Sequence, residues 1–158
     1  MLFRSPKGAS AAPTTEIVES RSAHRDELHT DLEHLHGVHV LIVEDDADSR
    51  NVLALLLQKL GALVEAVPSA REAVDRVTNR RPDVLVSDIG MPEEDGYSLI
   101  RQVRQMPAEA TKKLPAIALT AYARRQDADA ALGAGFDYHL PKPVAPADLI
   151  KAIKKVVL

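Results

Sequence analysis

Five short apolar runs recur through the chain after residue 37: VHVLIV, LVEAV, DVLVS, PAIALT and FDYHL. Helical patterning fills the gaps between them, at about 47–60, 69–80, 95–106, 124–133 and 146–157. Strands are therefore expected near 38–43, 62–67, 83–87, 115–120 and 136–140, in alternation with five helices. Near-continuous apolar strands alternating with helices imply an α/β fold: a parallel sheet covered on both faces. Crossovers in such a sheet are right-handed. Gly61 ends the first helix, Pro82 separates the second helix from its strand, and Gly133 and Gly135 stop the fourth.

Residues 1–37 are different. The stretch MLFRSPKGASAAPTTEIVESRS is rich in Ser, Ala, Pro and Thr and holds no period, which reads as a flexible linker. Leu28, Leu32 and Leu35 then fall at helical spacing before Gly37, so a short amphipathic helix is expected near 24–36. His24, His29, His34 and His36 lie on it, but no two are spaced i,i+4 as ligands on one helical face would be. A solvated face is the reading adopted. The domain proper is expected at 38–158.

Of 158 residues, 46% are hydrophobic, which suits one domain with a self-sufficient core. A net charge of -3 argues against direct nucleic-acid binding. With no Cys, disulfides and thiolate metal sites are excluded. No apolar run approaches the roughly 20 residues that cross a bilayer, and the N-terminus lacks a secretory pattern. A soluble, cytoplasmic protein without membrane insertion is expected.

In an open parallel sheet, sites lie beyond the carboxyl ends of the strands. Glu44, Asp45 and Asp46 follow the first strand, Asp88 the third, Thr120 and Ala121 the fourth, and Lys142 with Pro143 the fifth. Glu44, Asp45 and Asp88 would be neighbours if the first and third strands are adjacent. Like charges held that close raise one another's pKa unless a cation joins them. An all-oxygen set suits Mg2+ rather than a redox metal. A Lys and a hydroxyl facing the same ion add an anion, most often a phosphoryl group. Singly, each residue has an ordinary explanation. Asp48 is taken as an acid at a helix N-terminus, with Asp46 left open. Asp88 could cap a turn, and Thr120 could simply end a strand. Their joint occurrence at one sheet edge carries the argument.

The segments VLIVEDDADSR, VLVSDIGMPEEDGYSLI, PAIALTAYA and GFDYHLPKPV resemble, in order and spacing, the receiver domain of two-component response regulators. The resemblance runs from about Val38 to the C-terminus. It implies a flavodoxin-like (βα)5 fold with strand order 2-1-3-4-5. It implies that Asp88 is the phosphoacceptor, taking its phosphoryl group from a sensor histidine kinase or a histidine phosphotransfer protein. Asp45 is then a direct Mg2+ ligand, Glu44 acts through water, and the Gly90 carbonyl is a further ligand. Thr120 is the switch hydroxyl, and Lys142 pairs with the phosphoryl group. The Lys142–Pro143 bond is expected to be cis, which only an X–Pro bond makes inexpensive.

Two departures stand out. The family's switch aromatic is replaced by His139, which is either the switch, with a titration that would make output pH-sensitive, or an ordinary half-exposed His. Tyr138 is one residue out of register and points to the other face. Pro141, before Lys142, stiffens the loop. Tyr122, two residues beyond Thr120, is expected to shield the phosphoryl group and slow its loss.

The expected function is that of a phosphoacceptor signalling module, not an enzyme acting on other molecules. Output would pass to an unknown downstream protein through the fourth helix, fifth strand and fifth helix, a face given by family analogy. The chain could be a stand-alone regulator or the receiver of a hybrid kinase. The alternatives are a Mg2+-dependent phosphohydrolase using Asp88, or a degenerate receiver that only binds. A phosphohydrolase often carries a second acid two residues after its nucleophile; here Gly90 holds that position.

Overall fold

The computed structural model describes residues 35–121 and 124–157. Strands β1 (His39–Val43), β2 (Leu63–Val67), β3 (Val84–Asp88), β4 (Ala116–Thr120) and β5 (Tyr138–Pro141) alternate with helices. These are α1 (Ala47–Lys59), α2 (Ala70–Asn79), α3 (Gly96–Arg104), α4 (Arg125–Ala134) and α5 (Pro146–Val157). All strand pairs are parallel and the order is β2-β1-β3-β4-β5, the expected flavodoxin-like arrangement. Element ends differ from the sequence reading by two residues at most. One of those differences matters: Asp88 is the last residue of β3, paired with Leu119, rather than the first of the turn. A single helical turn, Glu109–Lys112, is an addition within the α3–β4 connection. Four residues are too few to show a period.

Strand alternation sorts the apolar residues into two cores. Leu41, Val43, Leu85, Ala116 and Ala118 meet α2, α3 and α4 on one face. Val40, Ile42, Val84, Val86, Ile117 and Leu119 meet α1 and α5 on the other. The inner strands β3 and β4 are buried along their whole length, as near-continuous apolar strands should be, whereas the edge strands β2 and β5 are only partly covered.

Leu35 joins the second core at 1% exposure, and the Gly37 N–H donates to the Gly61 carbonyl at 3.2 Å. Among the described residues, packing thus already includes a position three residues ahead of 38. Leu35–Gly37 forms a turn, and residues 24–34 of the expected helix lie outside the described residues. Asp46 caps α1, accepting from the Ser49 N–H at 2.9 Å, while Asp48 sits in the first turn. The cap role falls to the residue that the sequence left open.

At the edge of the sheet remote from the strand ends with acids, Arg104 ties two connections together, α3–β4 and α4–β5. Its guanidinium donates to the carbonyls of Lys112 (2.8 Å), Leu114 (2.6 Å) and Gly135 (3.0 and 2.8 Å), and to Asp137 Oδ2 (3.1 Å). Asp137 Oδ2 also accepts the Ala116 N–H at 2.8 Å, which anchors the start of β4. Arg104→Ala would strand several half-buried carbonyls at once. We expect it to destabilise the domain by about 3 kcal/mol in urea unfolding, against less than about 0.5 kcal/mol for the exposed Arg101→Ala.

Candidate functional site

The residues after β1, β3, β4 and β5 meet at one edge of the sheet. Glu44 leaves β1 and donates its N–H to the Val67 carbonyl at 3.1 Å. Its side chain is turned into the protein, so that Glu44 is 1% exposed and Asp88 5%. Two carboxylates at that depth are costly unless a cation joins them. Lys142 does so: its Nζ lies 2.8 Å from Glu44 Oε2 and 3.0 Å from Asp88 Oδ2. The lysine is itself held by backbone, since its N–H donates to the Thr120 carbonyl at 2.7 Å, and the Lys142–Pro143 bond is cis.

One ammonium is not enough for both acids. Burial pushes the Glu44 carboxyl above its ordinary value; the Lys142 hydrogen bond opposes this, and the Asp88 charge adds to it. Burial also works against the Lys142 charge, but hydrogen bonds to Glu44 and Asp88 and their charges outweigh it, so its pKa rises. The lysine is held charged, while burial keeps its glutamate partner reluctant to ionise. Asp45, which is exposed, completes the cluster: carboxylate oxygens of Glu44, Asp45 and Asp88 lie within 4.8 Å of one another. Three carboxylates against one ammonium, all with oxygen donors and with one side open to water, fit a hard divalent cation such as Mg2+.

The loop from Asp88 to α3 is folded back on the site. The Gly90 N–H donates to Asp88 Oδ1 at 3.3 Å, and the Gly96 N–H to the Ile89 carbonyl at 2.9 Å. Gly96 is required by close approach, because a Cβ there would run into the Asp88 carbonyl. Glu93 takes the left-handed conformation, φ 68°, to close the turn. On the β1 side, Arg50 Nη1 donates to the Glu44 carbonyl at 2.9 Å and clamps the acidic loop.

Glu44, Asp45, Asp88 and Lys142 are thus brought together as the sequence anticipated. Thr120 ends β4 at the same edge, 3% exposed, with its hydroxyl making a long hydrogen bond of 3.5 Å to the Leu140 carbonyl. His139 is paired with Ala118, which turns it toward the α2–α4 core, and its buried Nε2 has no hydrogen-bond partner among the described residues. Tyr138 points the other way, against the second core, with Lys155 Nζ 5.1 Å from its ring centre. Tyr122 lies outside the described residues. Arg50 and Gly96 were not singled out from the sequence; the only signal was their position in the first turn after a strand-end loop.

The sequence profile of the response regulator receiver domain matches residues 40–154. This chain belongs to that family. It is 47% identical over 119 residues to an uncharacterised 14.6 kDa protein of Leptolyngbya boryana, covering 75% of this chain and 89% of that protein. It is 34% identical over 129 residues to hybrid signal transduction histidine kinase D of Dictyostelium discoideum, covering 78% of this chain but only 8% of that kinase. Among solved structures, the receiver domain of sensor histidine kinase PA1611 from Pseudomonas aeruginosa superposes with a TM-score of 0.70 at 33% identity, covering 77% of this chain and 98% of that one. That domain carries a magnesium ion coordinated in its active site cleft. The chemotaxis protein CheY4 of Vibrio cholerae superposes with a TM-score of 0.70 at 29% identity, covering 76% and 98%. The receiver domain is a module of two-component signalling. No helix among the described residues is long and apolar enough to cross a membrane.

A folded-state pKa raised above the ordinary 4.5 means that Glu44 contributes stability below that pH and loses it as pH rises. Without divalent cations, Glu44→Gln should therefore gain stability relative to the parent receiver as pH rises from 4.5 to 7. The gap should close as pH falls toward 4.5, as followed by urea unfolding at each pH.

Proposed function

We propose that this receiver is a phosphoacceptor of a two-component phosphorelay, with Asp88 taking a phosphoryl group from a phosphohistidine. The observation that carries this reading is the placement of Lys142 Nζ between Glu44 Oε2 and Asp88 Oδ2. An ammonium in that position neutralises incoming phosphoryl charge without having to move far.

An Asp88 carboxylate oxygen attacks phosphorus. The new acyl-phosphate P–O bond forms as the P–N bond to the donor imidazole breaks, and the imidazole keeps the electron pair. Lys142 stays paired with the transferred group, and Asp88 needs no base because a carboxylate is already ionised at neutral pH. Glu44, Asp45, Asp88 and the Gly90 carbonyl would hold Mg2+, with Glu44 acting through water. When bound, the ion supplies charge neutralisation and alignment of the phosphoryl oxygens. Thr120 then turns toward the phosphoryl oxygens, and His139 follows into the space beside it. The added charge of about -1.5 to -2 biases the loops around the site.

The donor is a sensor histidine kinase or a histidine phosphotransfer protein. An apolar groove of about 610 Å³, lined by Val52, Leu53, Leu119, Pro143 and Val144, opens beside Glu44 and Lys142 and offers a protein donor a surface to bind. The phosphorylated receiver acts on a downstream protein in the cytoplasm, without nucleic acid or membrane contact. Its own chemistry is limited to gaining and losing the phosphoryl group. Gly90, where a phosphohydrolase often carries its second acid, disfavours turnover as an enzyme.

Incubation with Mg2+ and a small acyl phosphate should add one phosphoryl group, seen by intact mass. Asp88→Asn should add none. Steady release of phosphate without an adduct would favour the hydrolase, and no reaction at all the binding-only module.

A further inference from the structure

Helix α1 buries Leu53 and Leu57 against the sheet, and its opposite side carries a second strip. Asp48, Val52, Leu55 and Lys59 follow one another at spacings of four, three and four residues. On a helix this keeps all four within about 60° of one line. All four are exposed, Val52 at 65% and Leu55 at 57%. Single exposed apolar residues are ordinary, but these two are neighbours on one line and are bracketed by charge. Spacings of four and three are those of the seam along which two helices pack.

The ends of the strip show what it fits. Asp48 stands one turn before Val52, and Lys59 one turn after Leu55, so the strip reads acid, apolar, apolar, base. Such a strip is complementary to its own reverse. An antiparallel copy sets the partner subunit's Leu55 opposite Val52 and the partner subunit's Lys59 opposite Asp48, and a two-fold axis repeats both contacts. A parallel copy would set acid against acid and base against base. A face shaped for a different protein needs no such symmetry. Among the described residues, neither Asp48 nor Lys59 is engaged in an ion pair, so neither gives up a partner on pairing across an interface.

We propose that two copies of this chain associate through α1, antiparallel about a two-fold axis, with Val52 and Leu55 at the centre and an Asp48–Lys59 pair at each end. Val52 also lines the groove beside Glu44 and Lys142, so the paired state covers one wall of it. Two short helices meeting along one strip bury less than the roughly 1,200 Å² of a stable interface, so the dimer is weak. The pairing does not rest on the phosphoacceptor reading above.

Sedimentation equilibrium of the full chain should show a monomer–dimer equilibrium, half dimer at roughly 0.1–0.5 mM. Asp48→Lys alone and Lys59→Asp alone should each weaken the dimer about tenfold, because like charges then meet at both ends. The double variant Asp48→Lys/Lys59→Asp should regain the parent affinity. A receiver that stays monomeric up to about 1 mM, or a double variant no tighter than the single ones, would overturn the proposal. The chain has no Cys, so introduced thiols report cleanly. An equimolar mixture of Asp48→Cys and Lys59→Cys should cross-link on mild oxidation, and neither variant should do so alone, since equivalent positions lie about 16 Å apart in the antiparallel register. Either variant cross-linking to itself as fast as the mixture does would overturn that register and the proposal with it.

Discussion

A single ammonium shared by two buried carboxylates is the interaction on which the functional edge of this protein depends. Lys142 Nζ touches Glu44 and Asp88, residues that reach the edge from three different strand ends. Removing the lysine would leave two like charges facing each other at low exposure, and breaking a buried pair costs more than the pair contributes. The surrounding backbone is arranged to keep it in place. Thr120 holds the Lys142 N–H, Arg50 holds the Glu44 carbonyl, and Gly96 lets α3 approach the Asp88 carbonyl. Each contact fixes a loop rather than a strand, so the sheet supplies position and the loops supply chemistry.

The same cluster is unsatisfied by design of its composition. One lysine faces the three carboxylates of Glu44, Asp45 and Asp88, and burial first, with the Asp88 charge behind it, holds the Glu44 carboxyl above its ordinary value. Such a deficit favours the arrival of a divalent cation, and a cation in turn favours an anion beside it. A site of this kind sacrifices resting stability for readiness to bind. The Arg104 network at the opposite edge shows the contrasting case: every donor there has a carbonyl or carboxylate to meet, and nothing is left to react.

Much of the fold was legible in the sequence because the inner strands are buried on both faces. VLVSD and AIALT could hardly be read as anything else, and strand ends then pointed to Glu44, Asp45, Asp88, Thr120 and Lys142. What was not legible depends on distance along the chain. Lys142 and Glu44 are 98 residues apart, and no local pattern announces that they touch. Arg104 reads as one more basic residue at a helix end until Gly135 and Asp137 fold onto it. Leu35 reads as part of a short helix ahead of the domain rather than as core, because its partners, on α1 and α5, come later. Asp46 and Asp48 compete for one cap, and only backbone geometry chooses between them.

On the proposed function, Lys142 is an internal cation in a site that takes Mg2+ beside a phosphoryl group. Calorimetric titration of Mg2+ into the parent receiver and Lys142→Met tests it directly. Removing a positive charge a few ångströms from the acids should tighten Mg2+ binding about tenfold. Binding that is unchanged or weakened in Lys142→Met would rule out that role for the lysine.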